Sequence, residues 1–179
     1  MKKPLAILAL VVAVALAYSF WPSASKPTKI KNHQTAVTTT APHLAKVVKV
    51  VDGDTIMIEG GLKIRYIGVN TPETKDPRRG VQCFGKEASA KNQALVEGKI
   101  VRLEKDVEER DKYGRLLRYV WLGDEMVNET LVKEGYAFSS PYPPNIKYHK
   151  RFLEAERDAR YKGRGLWSSC PAYQNRKTK

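Results

Sequence analysis

The chain has 179 residues, room for one domain with a core and flanking segments but not comfortably for two. Its formal net charge is +13, yet Lys2, Lys3, Lys26, Lys29, Lys31, Arg176, Lys177 and Lys179 stand at the ends, leaving 24 basic against 19 acidic residues between His43 and Cys170. That balance permits a polyanionic partner without demanding one, and two cysteines with three scattered histidines (His33, His43, His149) and no CxxC argue against a zinc centre.

Residues 4–21 form a nearly unbroken apolar run behind Lys2-Lys3, with Ala15-Leu16-Ala17 as a small-residue cleavage site. The run is long for the apolar part of a signal peptide and short for a membrane span, so residues 1–21 read either as a signal peptide or as an uncleaved N-terminal anchor. A buried helix of the main domain is excluded, because the run offers no polar face. Anchored, residues 4–21 would sit in the membrane with Lys2 and Lys3 inside and the domain outside the cytoplasm. Residues 22–43, rich in Ser, Thr, Pro and Lys, read as a flexible linker.

Order is expected from residue 44. Residues 45–51 and 55–59 are β-prone either side of Asp52-Gly53, Gly60-Gly61 is a hairpin turn, and residues 63–69 alternate as a third strand. Residues 85–97 read as a helix with Ala88, Ala90, Ala94 and Leu95 on its apolar face, stopped by Gly98. Residues 100–105 and 116–122 are two further strands, 126–134 a helix stopped by Gly135, and Pro141, Pro143 and Pro144 mark a loop. Residues 148–162 are helical, with Phe152, Leu153, Ala155, Ala159 and Tyr161 inward. Five short strands among helices make an α+β domain built on a small closed or partly closed barrel, of which the five-stranded OB-fold is the commonest type. The domain spans residues 44–170, and residues 171–179 form a basic tail.

Four clusters carry candidate chemistry: Asp52-Gly53-Asp54-Thr55, Arg65, Asn70-Thr71-Pro72-Glu73-Thr74 and Asp111-Lys112-Tyr113-Gly114-Arg115. Acidic and amide oxygens suit a hard cation, a further carboxylate can handle a water, and two guanidinium groups can hold a phosphate. Each has a plainer reading. Asp52-Gly53-Asp54 is also a turn sequence, and Asn70-Thr71-Pro72 an Asx turn. By strand period Arg65 shares a face with Lys63, which leaves it free to point outward into water. Arg115 equally suits a solvated loop. The meander nonetheless brings Asp54 and Asn70 toward one edge, with Glu73 a turn further on. Cys83 and Cys170 are open to two readings, free thiols or a bond; an exported domain favours the bond.

The same clusters, together with residues 85–89, 126–129 and 165–168, resemble in order the staphylococcal nuclease-like (thermonuclease) family over about residues 44–170. The resemblance implies an OB-fold barrel with three α-helices and a Ca²⁺-dependent endonuclease that leaves 3′-phosphate ends on DNA and RNA. It implies Glu73 as general base, Arg65 and Arg115 as phosphate-holding catalytic groups, and Asp54, Asn70 and the Thr71 carbonyl as Ca²⁺ ligands. Lys112 and Tyr113 match positions that contact a terminal phosphate, and Tyr142 matches a pocket tyrosine. Two positions depart from the family pattern. Asn70 stands where an aspartate is usual, removing one negative charge from the cation site, and Ser140 stands where a pocket tyrosine is expected. The expectation is an extracytoplasmic, monomeric nuclease. The alternative is a non-catalytic OB-fold module binding nucleic acid or protein, against which the joint presence of Arg65, Glu73 and Arg115 argues. A polyanion binder acting through the basic flanks is a third reading.

Overall fold

The computed structural model describes residues 43–74 and 80–174, so the expected leader or anchor (1–21) and almost all of the expected linker (22–43) lie outside the described residues. Among the described residues no helix is long and apolar enough to cross a membrane. In chain order the elements are β1 (His43–Asp52), β2 (Thr55–Ile58), β3 (Lys63–Tyr66), β4 (Val69–Asn70), α1 (Gly85–Val96), β5 (Ile100–Glu104), β6 (Leu116–Leu122), β7 (Glu125–Met126), α2 (Val127–Lys133), β8 (Phe138–Ser139) and α3 (His149–Tyr161). Two short helical turns follow, α4 (Leu166–Ser169) and α5 (Pro171–Gln174).

β1, β2 and β3 form the expected antiparallel meander, turning at Gly60-Gly61. β1 also pairs antiparallel with β5 through Leu44↔Arg102 and Lys46↔Ile100, while its inner half pairs with β2 through Val50↔Ile56. Register shifts at Val47/Lys49 and Val50/Asp52 bend the strand between these two partners, the usual effect of an extra residue in a ladder. β5 pairs antiparallel with β6, and a parallel pairing of β3 with β6 (Ile64↔Leu116, Tyr66↔Arg118) closes the ring. The result is the closed five-stranded OB-type barrel expected, with helices around it.

Inward residues of every barrel strand meet in one core, including Val47, Ile56, Ile64, Tyr66, Val101, Leu103 and Val120, and α2 and α3 add Leu131, Val132 and Phe152. A smaller core beside it gathers Phe138, Ala159, Leu166, Trp167 and Cys170, with Phe84 and Tyr173 at its edge. Cys83 and Cys170 are disulfide-bonded with Cα atoms 6.0 Å apart, which settles the two readings of that pair.

Three details differ from expectation. The third strand breaks after Tyr66, because Gly68 turns the chain with φ 75° and a Cβ there would come within 2.7 Å of the Phe152 ring. Asn70 therefore belongs to a separate short strand, β4, paired with β8. On α1 the buried stripe is Gly85, Ala88, Asn92 and Val96, while Ala90 and Ala94 face solvent. A count of apolar residues misses this stripe because its centre is polar: the Asn92 amide is satisfied by the buried Tyr66 hydroxyl at 2.9 Å. Tyr161, expected inward, is 90% exposed, since the buried face of α3 runs through Phe152, Ala155, Glu156 and Ala159.

Asn128 joins helix to barrel. It is fully buried, accepts a hydrogen bond from the Val120 N–H at 2.9 Å and donates one to the Ile67 carbonyl at 2.9 Å. Asn128→Leu strands two buried backbone groups and is expected to cost about 2–4 kcal/mol, read as a lower urea midpoint at unchanged m-value.

Candidate active-site cleft

An open, polar cleft of about 350 Å³ lies where the β1–β2 turn, β3, the chain after β4 and the loop before β6 converge. Its walls are Val51, Asp52, Asp54, Thr55, Lys63, Arg65, Asn70, Glu73 and Arg115. Five of the nine residues singled out from sequence thus share one cavity. Thr71 is their backbone neighbour.

Asp54 is the buried acid of the cleft, 7% exposed. Its Oδ2 accepts a hydrogen bond from the Thr71 N–H at 3.0 Å, its Oδ1 accepts one from the Thr55 hydroxyl at 3.1 Å, and Arg65 Nη2 lies 3.1 Å from Oδ2. Burying a carboxylate is tolerated only with such partners. The Asp52-Gly53-Asp54 turn needs its glycine because a Cβ on Gly53 would come within 2.6 Å of the Thr71 hydroxyl. A turn sequence of no special meaning is thereby also the contact that sets Thr71 against Asp54.

Arg65 faces outward from the barrel, as strand period allowed, and the outward face here is the cleft wall. Its Nη1 donates to the carbonyls of Tyr66 (2.7 Å) and Val69 (2.8 Å), and its Nη2 donates to Asn70 Oδ1 (3.0 Å) beside the Asp54 contact. One planar guanidinium therefore ties β3, the Gly68 turn, β4 and the β1–β2 turn together. A lysine has neither the fork nor the number of donors for this.

Arg115 is set by its own loop. Asp111 Oδ1 accepts from the Tyr113 and Arg115 backbone N–H groups at 2.9 and 3.0 Å, and Asp111 Oδ2 accepts from Arg115 Nε at 2.6 Å. Burial alone would raise the Asp111 carboxyl, but the Arg115 guanidinium and the two backbone donors outweigh it and hold the group below the ordinary aspartate value. Among the described residues no hydrogen bond occupies the Arg115 Nη nitrogens.

Glu73 lies at the rim. Its backbone N–H donates to Gln82 Oε1 at 2.9 Å, its carbonyl accepts from the Gln82 N–H at 2.9 Å, and its Oε1 accepts from the Thr74 N–H at 3.2 Å. Thr74 in turn donates from its hydroxyl to Asp52 Oδ1 at 2.8 Å.

Lys112, Tyr113 and Tyr142 do not line the cleft. Tyr113 and Tyr142 are 72% and 70% exposed, and the Tyr113 ring has the Lys112 ammonium at 5.1 Å and the Arg115 guanidinium at 5.5 Å. Ser140 is exposed and donates from its backbone to the Gly68 carbonyl. Four wall residues, Val51, Asp52, Thr55 and Lys63, carried no assigned role in the sequence, although Asp52 and Thr55 belong to the first candidate cluster, and the partner of Glu73, Gln82, was not singled out. Lys63 was legible by sharing the face of Arg65; Gln82 carried no signal.

Among the described residues no three His, Cys, Asp or Glu side chains gather closely enough to hold a metal by themselves. The oxygen set at Asp54, Asn70 and Thr71 is one carboxylate with neutral amide and carbonyl oxygens. Asp54 Oδ2 and Asn70 Oδ1 both contact the same Arg65 nitrogen, which brings these oxygens close together. Such hard donors fit Ca²⁺ and leave the remaining positions to water.

Comparison with known proteins agrees with this architecture. A thermonuclease of Staphylococcus hyicus is 47% identical over 127 residues, covering 69% of this chain and 75% of its own length. A thermonuclease of Staphylococcus intermedius is 48% identical over 124 residues, covering 68% and 74%. Endonuclease YncB of Bacillus subtilis (strain 168) is 44% identical over 133 residues, covering 72% and 63%. The family model described as staphylococcal nuclease homologue matches residues 63–169, from the start of β3 to the end of α4, and the chain belongs to that family.

Proposed function

We propose that the protein is a Ca²⁺-dependent endonuclease that hydrolyses phosphodiester bonds of DNA and RNA to 3′-phosphate products. The observation that carries this reading is one cleft lined at once by two arginines, a rim carboxylate and an oxygen cluster suited to a hard cation. A module that only binds nucleic acid has no need of Glu73 beside those groups. The names of the relatives, two thermonucleases and an endonuclease, support the same reading.

In this mechanism Glu73 accepts a proton from the water that attacks phosphorus. Arg115, oriented by Asp111, and Arg65, oriented by Asp54 and Asn70, hold the phosphate oxygens and stabilise the charge that grows on them as the bond to the 5′-oxygen breaks. Asp54, Asn70 and the Thr71 carbonyl would hold Ca²⁺, which when bound supplies positive charge that neutralises and orients the phosphate. Lys63 adds a cation to the wall that favours polyanionic substrate. Lys112, Tyr113 and Tyr142 supply exposed cationic and aromatic surface beyond the cleft, suited to the flanking strand. The reading extends to a monomeric domain that is exported or tethered through residues 4–21. The apolar run behind Lys2-Lys3 supports this, as does the Cys83–Cys170 disulfide, a bond that persists in oxidising compartments.

Purified protein is expected to cleave single-stranded DNA and RNA with added Ca²⁺ and to stop with chelator. Glu73→Ala should lower kcat by at least about 100-fold, the usual scale for a general base. An unmutated protein inert under these conditions would sink the enzyme reading. Asn70→Asp restores a negative charge to the cation site and should lower the Ca²⁺ concentration for half-maximal rate; an unchanged Ca²⁺ dependence would remove Asn70 from the ligand set.

The Asp111 carboxyl, held below its unfolded value, contributes stability that is complete above about pH 4 and is lost as pH falls through its lower folded value. Urea midpoints of the unmutated protein should therefore decline below about pH 4 more steeply than those of Asp111→Asn.

A further inference from the structure

The Cys83–Cys170 bond ties the residue after Gln82, the backbone partner of Glu73, to the smaller core. Cys170 is fully buried in the smaller core, against Leu166 and Trp167. Cys83 follows directly on Gln82, and Phe84 packs on the same core with its ring 5.3 Å from that of Tyr136. The Gln82 carbonyl accepts a hydrogen bond from Gly85 N–H at the start of α1. Gln82 is thus held by the disulfide, an aromatic contact and a helix start, all on its C-terminal side.

Its other contacts run to Glu73. The Gln82 side-chain oxygen accepts from the Glu73 N–H and the Gln82 N–H donates to the Glu73 carbonyl, both at 2.9 Å. Two bonds of opposite sense grip the Glu73 backbone, and Thr74 fastens the next residue to Asp52 at 2.8 Å. Arg65, Asp54 and Asn70 have a different support, since they stand on or beside strands of the barrel and on β4. The proton-accepting carboxylate therefore has one support, Gln82, that the phosphate-holding groups do not share.

We propose that Gln82 is a positioning residue for Glu73 and that the Cys83–Cys170 disulfide fixes Gln82, so that turnover, but not substrate binding, depends on this bond being closed. The inference rests on the nuclease reading above, in which Glu73 touches the attacking water. Opening the bond takes two electrons and two protons from a dithiol reductant, which becomes a disulfide while Cys83 and Cys170 become thiols. The Gln82 turn then keeps the Phe84 contact and its hydrogen bonds but loses its covalent tie to the smaller core, and small displacements of a reacting group cost rate steeply.

The test is steady-state cleavage of a single-stranded DNA oligonucleotide by the full chain in saturating Ca²⁺. Gln82→Leu removes the acceptor and should lower kcat by about 10-fold with KM changed by less than about 2-fold, whereas Gln82→Glu keeps an acceptor oxygen and should return kcat to within about 3-fold of the unmutated protein. Dithiothreitol, and separately the Cys83→Ser/Cys170→Ser pair, should reproduce that kcat loss while the circular dichroism spectrum stays native; reoxidation should restore the rate. Unchanged kcat in Gln82→Leu, or a rise in KM alone, overturns the proposal. So does full turnover by the folded serine pair. Should the serine pair fail to fold, the Gln82 variants decide the matter. Failure of the oxidised, unmutated protein to cleave would overturn the nuclease reading and this inference with it; cleavage indifferent to Gln82 would overturn the inference alone.

Discussion

The Arg65 guanidinium is the interaction on which the site depends. It reaches two backbone carbonyls with one nitrogen and the Asp54 and Asn70 oxygens with the other. Without it the turn after β3 would present two carbonyls to the cleft and Asp54 would be a buried, underpaired acid. In the proposed function, a phosphate or a cation entering here would share oxygens or donors with this one group. In the proposed nuclease, structural and chemical roles are fused in Arg65, so a variant at this position reports both at once.

Around that centre, support comes from two cores. The barrel core carries β3 and the Asp54 turn. The smaller core carries β8, whose Phe138 pairs with Asn70 across the short β4–β8 ladder, and the Cys83–Phe84 corner behind Glu73. Buried polar links knit helix α1 to the cleft from beneath: Asn92 accepts from the Tyr66 hydroxyl and donates to the Asp52 carbonyl at 3.4 Å. Burial drives the Tyr66 hydroxyl far above its ordinary value, so it stays a neutral donor at any pH the protein meets.

Much of this was legible before the structure. Strand alternation, the Gly-Gly hairpin and the helix stops at Gly98 and Gly135 marked the elements, because local sterics and periodicity act within a few residues. The parallel β3–β6 pairing was not legible, since nothing local in Ile64 or Leu116 names a partner 52 residues away. The buried stripe of α1 was misread because Asn92 is polar, and the inward placement of Tyr161 because apolar composition stood in for angle. In the site, the residue types were visible while their convergence was not. Arg65 and Arg115 taken singly looked as much like solvated charges as ligands, and only the ordered resemblance gave them roles. Gln82 escaped altogether, because a glutamine gripping a backbone nine residues away leaves no pattern in the chain.

The parallel pairing has a temporal meaning as well. Ile64 pairs with Leu116; Arg65 follows Ile64 in β3, and Arg115 immediately precedes Leu116 at the end of its loop. Every other neighbouring pair of barrel strands is antiparallel, and only the β1–β5 pairing joins segments as far apart in the chain. Pairing of β3 with β6 is thus the event that brings the two guanidinium groups to one wall. A chain still being made, or one partly unravelled, holds the parts of the cleft apart, and whatever chemistry the cleft performs stays switched off until folding is complete.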